Sequence, residues 1–420
     1  TAGSGADRSG CETAVMAAPA RDVPLEYVRL GLRFDRLESG FVDAYTGDPR
    51  VRAAVDSEPA PTPQGLRDQA RTLLRELDSA GLPADRTDFL RGQLTGLECS
   101  ARKLSGEPVG FADEVRSYFQ VDAVLGDPAV YATAHEELDA LLPGGGSLAE
   151  RYAAHRRREE CPPDRLEAAV HALSSALRDR TRGQYGLPEL ETVRYEVVTD
   201  KPWSGFNYYE GDYRSRVAIN ADLPHRLSQL PHLVAHESYP GHHTEHCRKE
   251  LGLVGRADRV EHTVFLVNTP ECLMAEGLAD LGVEASVGED WGPWAAEIVG
   301  DLGLRFDGHL AQRISAAAAP LNRVRQDAAV LLHDRGADAD EVVAYLQRWS
   351  LVSEERARQQ IRFLTHPLWR AYITTYVEGF DLLSRWLAAR RADQSVADRF
   401  VRLLDEPLTP GALARELAVG

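Results

Sequence analysis

The chain is expected to be mainly α-helical with one small mixed β-sheet, an α+β architecture. Three observations carry that expectation. Apolar residues recur every three or four positions over most of the 420 residues. Three short segments rich in β-branched and aromatic residues cluster between Thr192 and Asn220. The helical spacing then resumes after Leu223 and runs to the C-terminus. With 43% of positions hydrophobic, the chain can bury a large core, or two packed lobes sharing one.

Residues 1–20 are expected to form a flexible N-terminus, 21–185 a helical lobe and 186–420 a catalytic region. From Pro24 onward Tyr27, Leu30, Phe34, Leu37, Phe41 and Tyr45 step by three or four, which predicts one continuous helix. Leu66, Ala70, Leu73 and Leu77 repeat the pattern, followed by Leu90, Leu94, Leu97 and Ala101, and Pro59, Pro61 and Pro63 separate the first two helices. Pro143 and the three glycines after it precede Ser147-Leu-Ala-Glu150, a helix-start box in which Ser and Glu satisfy each other's backbone N–H. No strand precedes those glycines and no Lys-Ser or Lys-Thr follows, so they read as a connector and not as a phosphate loop. Val193–Val198, Phe206–Tyr209 and Arg216–Asn220 are bounded by Gly, Pro and Asp and predict strands. A second start box, Asp338-Ala-Asp-Glu341, opens the last helical stretch, which persists through Trp386.

Charge and cysteine content exclude several functions. Counting 65 acidic against 48 basic side chains gives −17, the wrong sign for holding phosphates, so nucleic acid is excluded as a partner. No run reaches the roughly 18 apolar residues of a membrane helix, and the first residues lack a basic-then-apolar leader, so the expectation is a cytoplasmic protein without a membrane partner. The five cysteines are odd in number and widely spaced, with no C-x-x-C pair. They are expected to be reduced structural thiols, neither a zinc ribbon nor a redox pair.

The chemistry concentrates in Leu230-Pro-His-Leu-Val-Ala-His-Glu-Ser-Tyr-Pro-Gly-His-His-Thr-Glu-His246. Pro231 suits a first helical turn, and Leu230, Leu233 and Val234 give that helix an apolar face, which places His236 and Glu237 side by side toward the interior. In the zinc-peptidase signature H-E-x-x-H, two imidazoles four residues apart bind the metal and the intervening Glu reaches the water it holds. Here the fourth residue after His236 is Pro240, which removes a helical donor, and Gly241 follows with freedom to turn. On a straight helix His242 would point about 120° away from His236, and His243 would lie roughly 10 Å further along. Only a distorted turn lets either one join His236. A third ligand is sought in Thr269-Pro-Glu-Cys-Leu-Met-Ala-Glu-Gly-Leu-Ala-Asp280. Glu271 in the first turn is accounted for by the helix dipole. Glu276 lies mid-helix among apolar residues, where an unpaired carboxylate is costly, and Asp280 one turn later is placed to hold the second nitrogen of a ligand histidine. His232 and His262 are expected at the surface or in caps, and His246 in the interior.

HESYPGHH together with AEGLADL resembles the bacterial domain-of-unknown-function family 885, marked by H-E-x-x-P-G-H-H and a downstream E-G-[WL]-A and grouped with the gluzincin metallopeptidases. The resemblance implies a zincin-like catalytic domain with two helical lobes flanking a cleft. Glu276-x-x-x-Asp280 is also similar to the E-x-x-x-D of thermolysin-like enzymes. Aligning the Gly-His of H-E-x-G-H and H-E-x-x-G-H relatives onto this chain selects His242 over His243. The family's C-terminal P-G-Q-A-x-x-Y-x-x-G is kept only in part: Tyr376 and Gly379 preserve the Y-x-x-G spacing, and Arg370-Ala-Tyr-Ile373 stands at the P-G-Q-A positions.

The implied site is one Zn2+ per chain on His236, His242 and Glu276, with Asp280 behind a ligand histidine and Glu237 as the base acting on a metal-activated water. Tyr376 or Tyr372 is expected to donate to the oxyanion, Arg370 to bind a substrate carboxylate, and His243 to stand beside the substrate or behind the ligands. The strand ending at Asn220 is expected to pair with an extended peptide. The expected substrate is a short peptide or small amide. The alternatives are a zinc enzyme cleaving a non-peptide amide or C–N bond, and a non-catalytic metal-containing binding protein of the same fold.

Overall fold

The computed structural model describes residues 21–201 and 203–419, so the expected flexible segment 1–20, with Cys11, lies outside it. The chain is mainly helical with two small sheets. Helix starts follow side-chain chemistry. Asp22 accepts from Leu25 N–H ahead of Val23–Leu37, and Thr62 accepts from Gly65 N–H ahead of Pro63–Glu76. Both expected start boxes are closed, Ser147 with Glu150 and Asp338 with Glu341.

The helix expected to run through Tyr45 stops at Leu37. Gly40 turns the chain at φ +88°, and Val42–Tyr45 becomes a strand, β1, paired antiparallel with Val264–Leu266. Phe41 and Tyr45 kept the helical step by coincidence. The segment that pairs with β1 lies far along the chain, and a further helix, Pro49–Asp56, intervenes before Pro59.

The expected three-stranded sheet is present and mixed. With β2 Thr192–Val198, β3 Gly205–Gly211 and β4 Arg214–Asn220, the order is β2-β4-β3; β2 runs parallel to β4 and β3 antiparallel to it. The central place of β4 overturns one expectation, because both of its edges are taken and it has no free backbone groups for a substrate strand. Asn220 is fully buried and structural: its Nδ2 donates to Lys201 O (2.8 Å) and Trp203 O (3.0 Å), closing the turn that leads into β3. Val264–Leu266 is the fifth strand, β5.

The three largest apolar cores among the described residues each draw on residues before and after Tyr185. One packs Tyr27, Phe34 and Leu94 with Val264 and Leu266. A second packs Leu173 and Leu177 with Val234, Ala235 and Tyr239. The largest joins Tyr118 and Tyr131 to Leu273, Leu278 and Trp386. The helices Leu230–Glu237 and Pro270–Asp280 are thereby each packed into a different core. Cys99, Cys161, Cys247 and Cys272 are buried free thiols. Among the described residues no helix is long and apolar enough to cross a membrane.

Candidate metal centre

The helix Leu230–Glu237 carries Pro231 in its first turn and buries Leu230, Val234 and Ala235. It ends at Ser238, and a new helix, His242–Lys249, starts after Gly241. The expected kink is therefore a complete break, because Pro240 has no N–H to continue the ladder. Gly241 N–H folds back onto Ala235 O (2.9 Å). A Cβ on Gly241 would lie 2.0 Å from His236 O and 2.4 Å from Ala235 O, so the reversal requires glycine. Thr244 Oγ1 donates to Ser238 O (3.0 Å), and Ser238 Oγ to Val234 O (2.6 Å), which satisfies carbonyls the break exposes.

The reversal brings His242 back beside His236. Their Nε2 atoms are 3.1 Å apart; His236 Nε2 is 3.3 Å from Glu276 Oε2, and His242 Nε2 is 3.7 Å from Glu276 Oε1. All three ligand atoms lie within 4.8 Å of one another. His236 Nδ1 meets Asp280 Oδ1 at 2.8 Å, and Tyr372 OH donates to Glu276 Oε1 at 2.7 Å.

This donor set fits a small divalent ion. Four ligands at the usual 2.0–2.1 Å of zinc stand about 3.3 Å apart, the scale of the separations seen here. With Nδ1 of His236 donating to Asp280, its Nε2 presents a lone pair, as a metal ligand must. Among the described residues Glu276 Oε2 is buried without a hydrogen bond, which is costly for a carboxylate oxygen unless a positive charge faces it. Without a metal, a proton answers the same demand. Burial opposes protonation of His236, yet Asp280 and Glu276 outweigh it and raise its pKa well above the ordinary value. Burial, reinforced by the charge of His236, pushes His242 down to about 3 and keeps it neutral.

The acidic half of the centre stands on Pro270–Asp280, a helix buried along nearly its whole length. Gly277 on this helix touches Gly379 on the π-helical turn Thr375–Gly379: a Cβ on Gly277 would be 2.6 Å from Gly379 C, and one on Gly379 would be 2.7 Å from Leu273 O. The bare backbones approach closely enough for Tyr372 and Tyr376 to reach the centre. Both glycines sit in the recognised motifs, but that they touch each other was not read from the sequence.

Glu237 is buried, and Asn207 of β3 donates to its backbone carbonyl at 2.6 Å. Its carboxylate has no partner among the described residues, and a Cβ on Gly205 would stand 3.1 Å from Oε1. Burial pushes its pKa up to about 7; His236 opposes the rise and Glu276 adds to it. The Tyr376 ring centre lies 6.5 Å from that of His236 and 5.7 Å from that of Tyr372.

Two expected substrate contacts are engaged elsewhere. Fully buried His243 faces away from the centre, with Nδ1 2.8 Å from Ser215 Oγ and Nε2 3.2 Å from Glu191 Oε2. Arg370 is committed to a buried carboxylate: Nε donates to Glu114 Oε2 (2.6 Å) and Nη2 to Val109 O (3.0 Å). Sequence reasoning passed over Arg325, whose charge acts on Tyr376 and Asp280 and whose Nε, among the described residues, is buried without a hydrogen bond. Its neighbours Arg323 and Gln326 both bond Glu378 on the tyrosine-bearing turn, at 2.6 and 2.7 Å. His232 and His262 are interior and not surface residues. His232 packs edge-on against Trp291 at 4.4 Å, and His262 lies 4.4 Å from the Phe89 ring and 3.7 Å from Glu271 Oε1.

No protein-family model matches the chain, and no curated protein does. Two solved structures are similar to this chain. One is a "putative lipoprotein of unknown function" from Shewanella oneidensis, 13% identical, with a TM-score of 0.51 over 94% of this chain and 82% of that one. The other, a "putative lipoprotein" from Colwellia psychrerythraea, is 14% identical with a TM-score of 0.47 over 84% of this chain, which spans 66% of that protein's length.

Proposed function

We propose that the protein is a zinc-dependent hydrolase of peptide or amide bonds, acting on short peptides and holding one Zn2+ per chain. The observation that carries this reading is the convergence of His236, His242 and Glu276, with Asp280 on the outer nitrogen of His236 and an unengaged Glu237 carboxylate alongside. It agrees with the gluzincin resemblance of the two motifs, and a cleft between helical lobes above the centre belongs to the same proposal. Zinc held there supplies Lewis acidity and lowers the pKa of the water it binds to about 7.

The chain's own residues do the rest. Glu237 accepts the proton of the attacking water and returns it to the leaving amine, a double task suited to a carboxylate near neutrality. Tyr376 donates its hydroxyl proton to the developing oxyanion. Tyr372 is a positioning residue that fixes Glu276. Arg325 replaces Arg370 as the group that attracts a substrate carboxylate.

The test is elemental analysis combined with turnover of a mixed di- and tripeptide library. Wild type should carry about one zinc per chain, His236→Ala should lose it, and Glu237→Gln should keep it while turnover drops about 10²–10⁴-fold. Equal turnover by wild type and Glu237→Gln refutes the mechanism. Zinc retention without any turnover favours a binding protein instead.

A further inference from the structure

The helix His242–Lys249 carries a second cluster beyond His242. Glu245, His246 and Lys249 follow at three, four and seven residues, so all four share one face. Residues of β1, β3, β5 and the first turn of Pro270–Asp280 join them around a cavity of about 20 Å³, lined by Glu245, His246, Lys249, His262, Thr263 and Glu271 among others. That is room for one occupant of water's size. Lys249 Nζ donates to Glu245 Oε1 (2.6 Å) and Glu271 Oε1 (3.4 Å), and Gln93 Nε2 donates to Glu271 Oε2 (3.4 Å). Other atoms are left over. Among the described residues Glu245 Oε2 and both ring nitrogens of His262 are buried without a hydrogen bond, on side chains that are 3% and 1% exposed.

The chemistry of these leftover atoms defines the occupant. Glu245 and Glu271 share one ammonium, Lys249, the one Lys or Arg among the described residues that line the cavity, so a negative charge stays unbalanced. Half-buried Glu250 adds another carboxylate, whose oxygens accept from Tyr209 OH (2.5 Å) and Asp212 N–H (3.1 Å). Burial opposes the charge on Lys249, yet Glu245 and Glu271 outweigh it and raise its pKa, so it has no proton to lend. His246 is neutral, because burial and then Lys249 push its pKa down to about 3. With His262 Nδ1 toward Glu271 Oε1, 3.7 Å away, Nε2 presents a lone pair. The open atoms are therefore acceptors, and what they lack is positive charge. A water molecule would meet the hydrogen bonds and not the charge. A transition metal is a poor match, since among the described residues the three-residue convergence is His236, His242 and Glu276 and not this cluster.

We propose that this cavity is a binding site for a single monovalent cation of water's size, ammonium or potassium, seated on Glu245 Oε2 and His262 Nε2. Ammonium fits better, since it donates a hydrogen to the imidazole lone pair that potassium can only face. Both helices that carry His242 and Glu276 line the site. It does not depend on the hydrolase reading, which uses a separate set of residues.

The experiment melts the full chain in chloride salts at equal ionic strength, with tetramethylammonium, too large for the cavity, as the reference ion. Ammonium and potassium should raise the melting temperature saturably by about 2–5 °C, ammonium at the lower concentration, as a ligand held by the folded state alone does. Glu245→Gln keeps the bulk and an acceptor for Lys249 but removes the unbalanced charge, so its melting temperature should no longer distinguish the three ions. A second measurement needs no variant: isotope-labelled ammonium added to wild type should give a protein-bound resonance that potassium displaces and tetramethylammonium does not. That resonance decides the matter even where Glu245→Gln fails to fold. Equal melting in all three salts without a bound resonance leaves the cavity to water and overturns the proposal. Ion discrimination that survives intact in Glu245→Gln places the cation elsewhere and overturns it as well.

Discussion

His242 and His243 are neighbours in sequence and opposites in environment. His242 faces His236 and Glu276 in a cluster whose carboxylate keeps a buried oxygen without a hydrogen bond. His243 faces β4 and Glu191 in a cluster that is complete. Glu191 accepts from Arg178 (2.7 Å), Arg182 (2.9 Å) and Tyr239 OH (2.7 Å), and lies 3.2 Å from His243 Nε2. A shift of about 100° around one helix separates a face with an unmet electrostatic demand from a face with none. The first is built to take something up, and the second holds the fold around it.

Substituting each histidine breaks the comparison most sharply. His242→Ala should abolish zinc binding and turnover, read by elemental analysis and by the peptide assay. His243→Ala should keep about one zinc per chain and cost about 2–4 kcal/mol in urea unfolding, from a cavity and two lost hydrogen bonds. Zinc lost from His243→Ala and kept by His242→Ala would reverse the assignment.

Gly241→Ala tests whether the two faces depend on the same backbone. Its Cβ would press on His236 O and Ala235 O, so the turn must open. The expected result is both effects at once, weakened zinc binding and about 2–4 kcal/mol of lost stability, read by metal titration and urea melts.

Glu191→Gln sharpens the anchoring side through pH. Burial alone would raise the Glu191 pKa, but the bonds from His243, Tyr239 and Arg178 hold it down to about 2. A carboxyl depressed below its unfolded value of about 4.3 contributes stability above that value and loses it as pH falls toward 2. Wild type should therefore exceed Glu191→Gln by about 3 kcal/mol at pH 7, and the gap should close as the pH approaches 2. A gap independent of pH would mean that shape and not charge is at stake.

How much of this was readable in advance follows from the range of each interaction. The spacing of His236, Pro240, Gly241 and His242 announced a break that turns one histidine back, and the mid-helix position of Glu276, with Asp280 one turn on, singled out its acidic partners. These are features of single segments. Helix starts such as Ser147 and Asp338 were legible for the same reason. What failed needed a partner from elsewhere. Phe41 and Tyr45 fit a helix until β5 is supplied, Arg370 looks available until Glu114 appears, and β4 looks like an edge until β2 and β3 flank it. Arg325 was invisible for the converse reason: what marks it, among the described residues, is a buried Nε without a hydrogen-bond partner, which no local pattern records.

The smallest expected effect probes the seam between the two faces. Tyr372 touches no reacting atom in the proposed mechanism; it donates to Glu276 Oε1, leaving Oε2 of the same carboxylate toward His236. Tyr372→Phe removes that donor and keeps the ring that packs on Trp369 at 5.3 Å and on Tyr376 at 5.7 Å. Glu276 then loses its orientation but not its charge, and partners behind a ligand are worth about 10–100-fold in metal affinity. Zinc should bind at the lower end of that range more weakly, with kcat at saturating zinc within about threefold of wild type. Tyr376→Phe should do the reverse, lowering kcat with zinc affinity unchanged, because Tyr376 is assigned to the oxyanion and not to the ligand. If both substitutions move the same quantity, the two tyrosines share one role and the division between holding the metal and acting on the substrate is drawn in the wrong place.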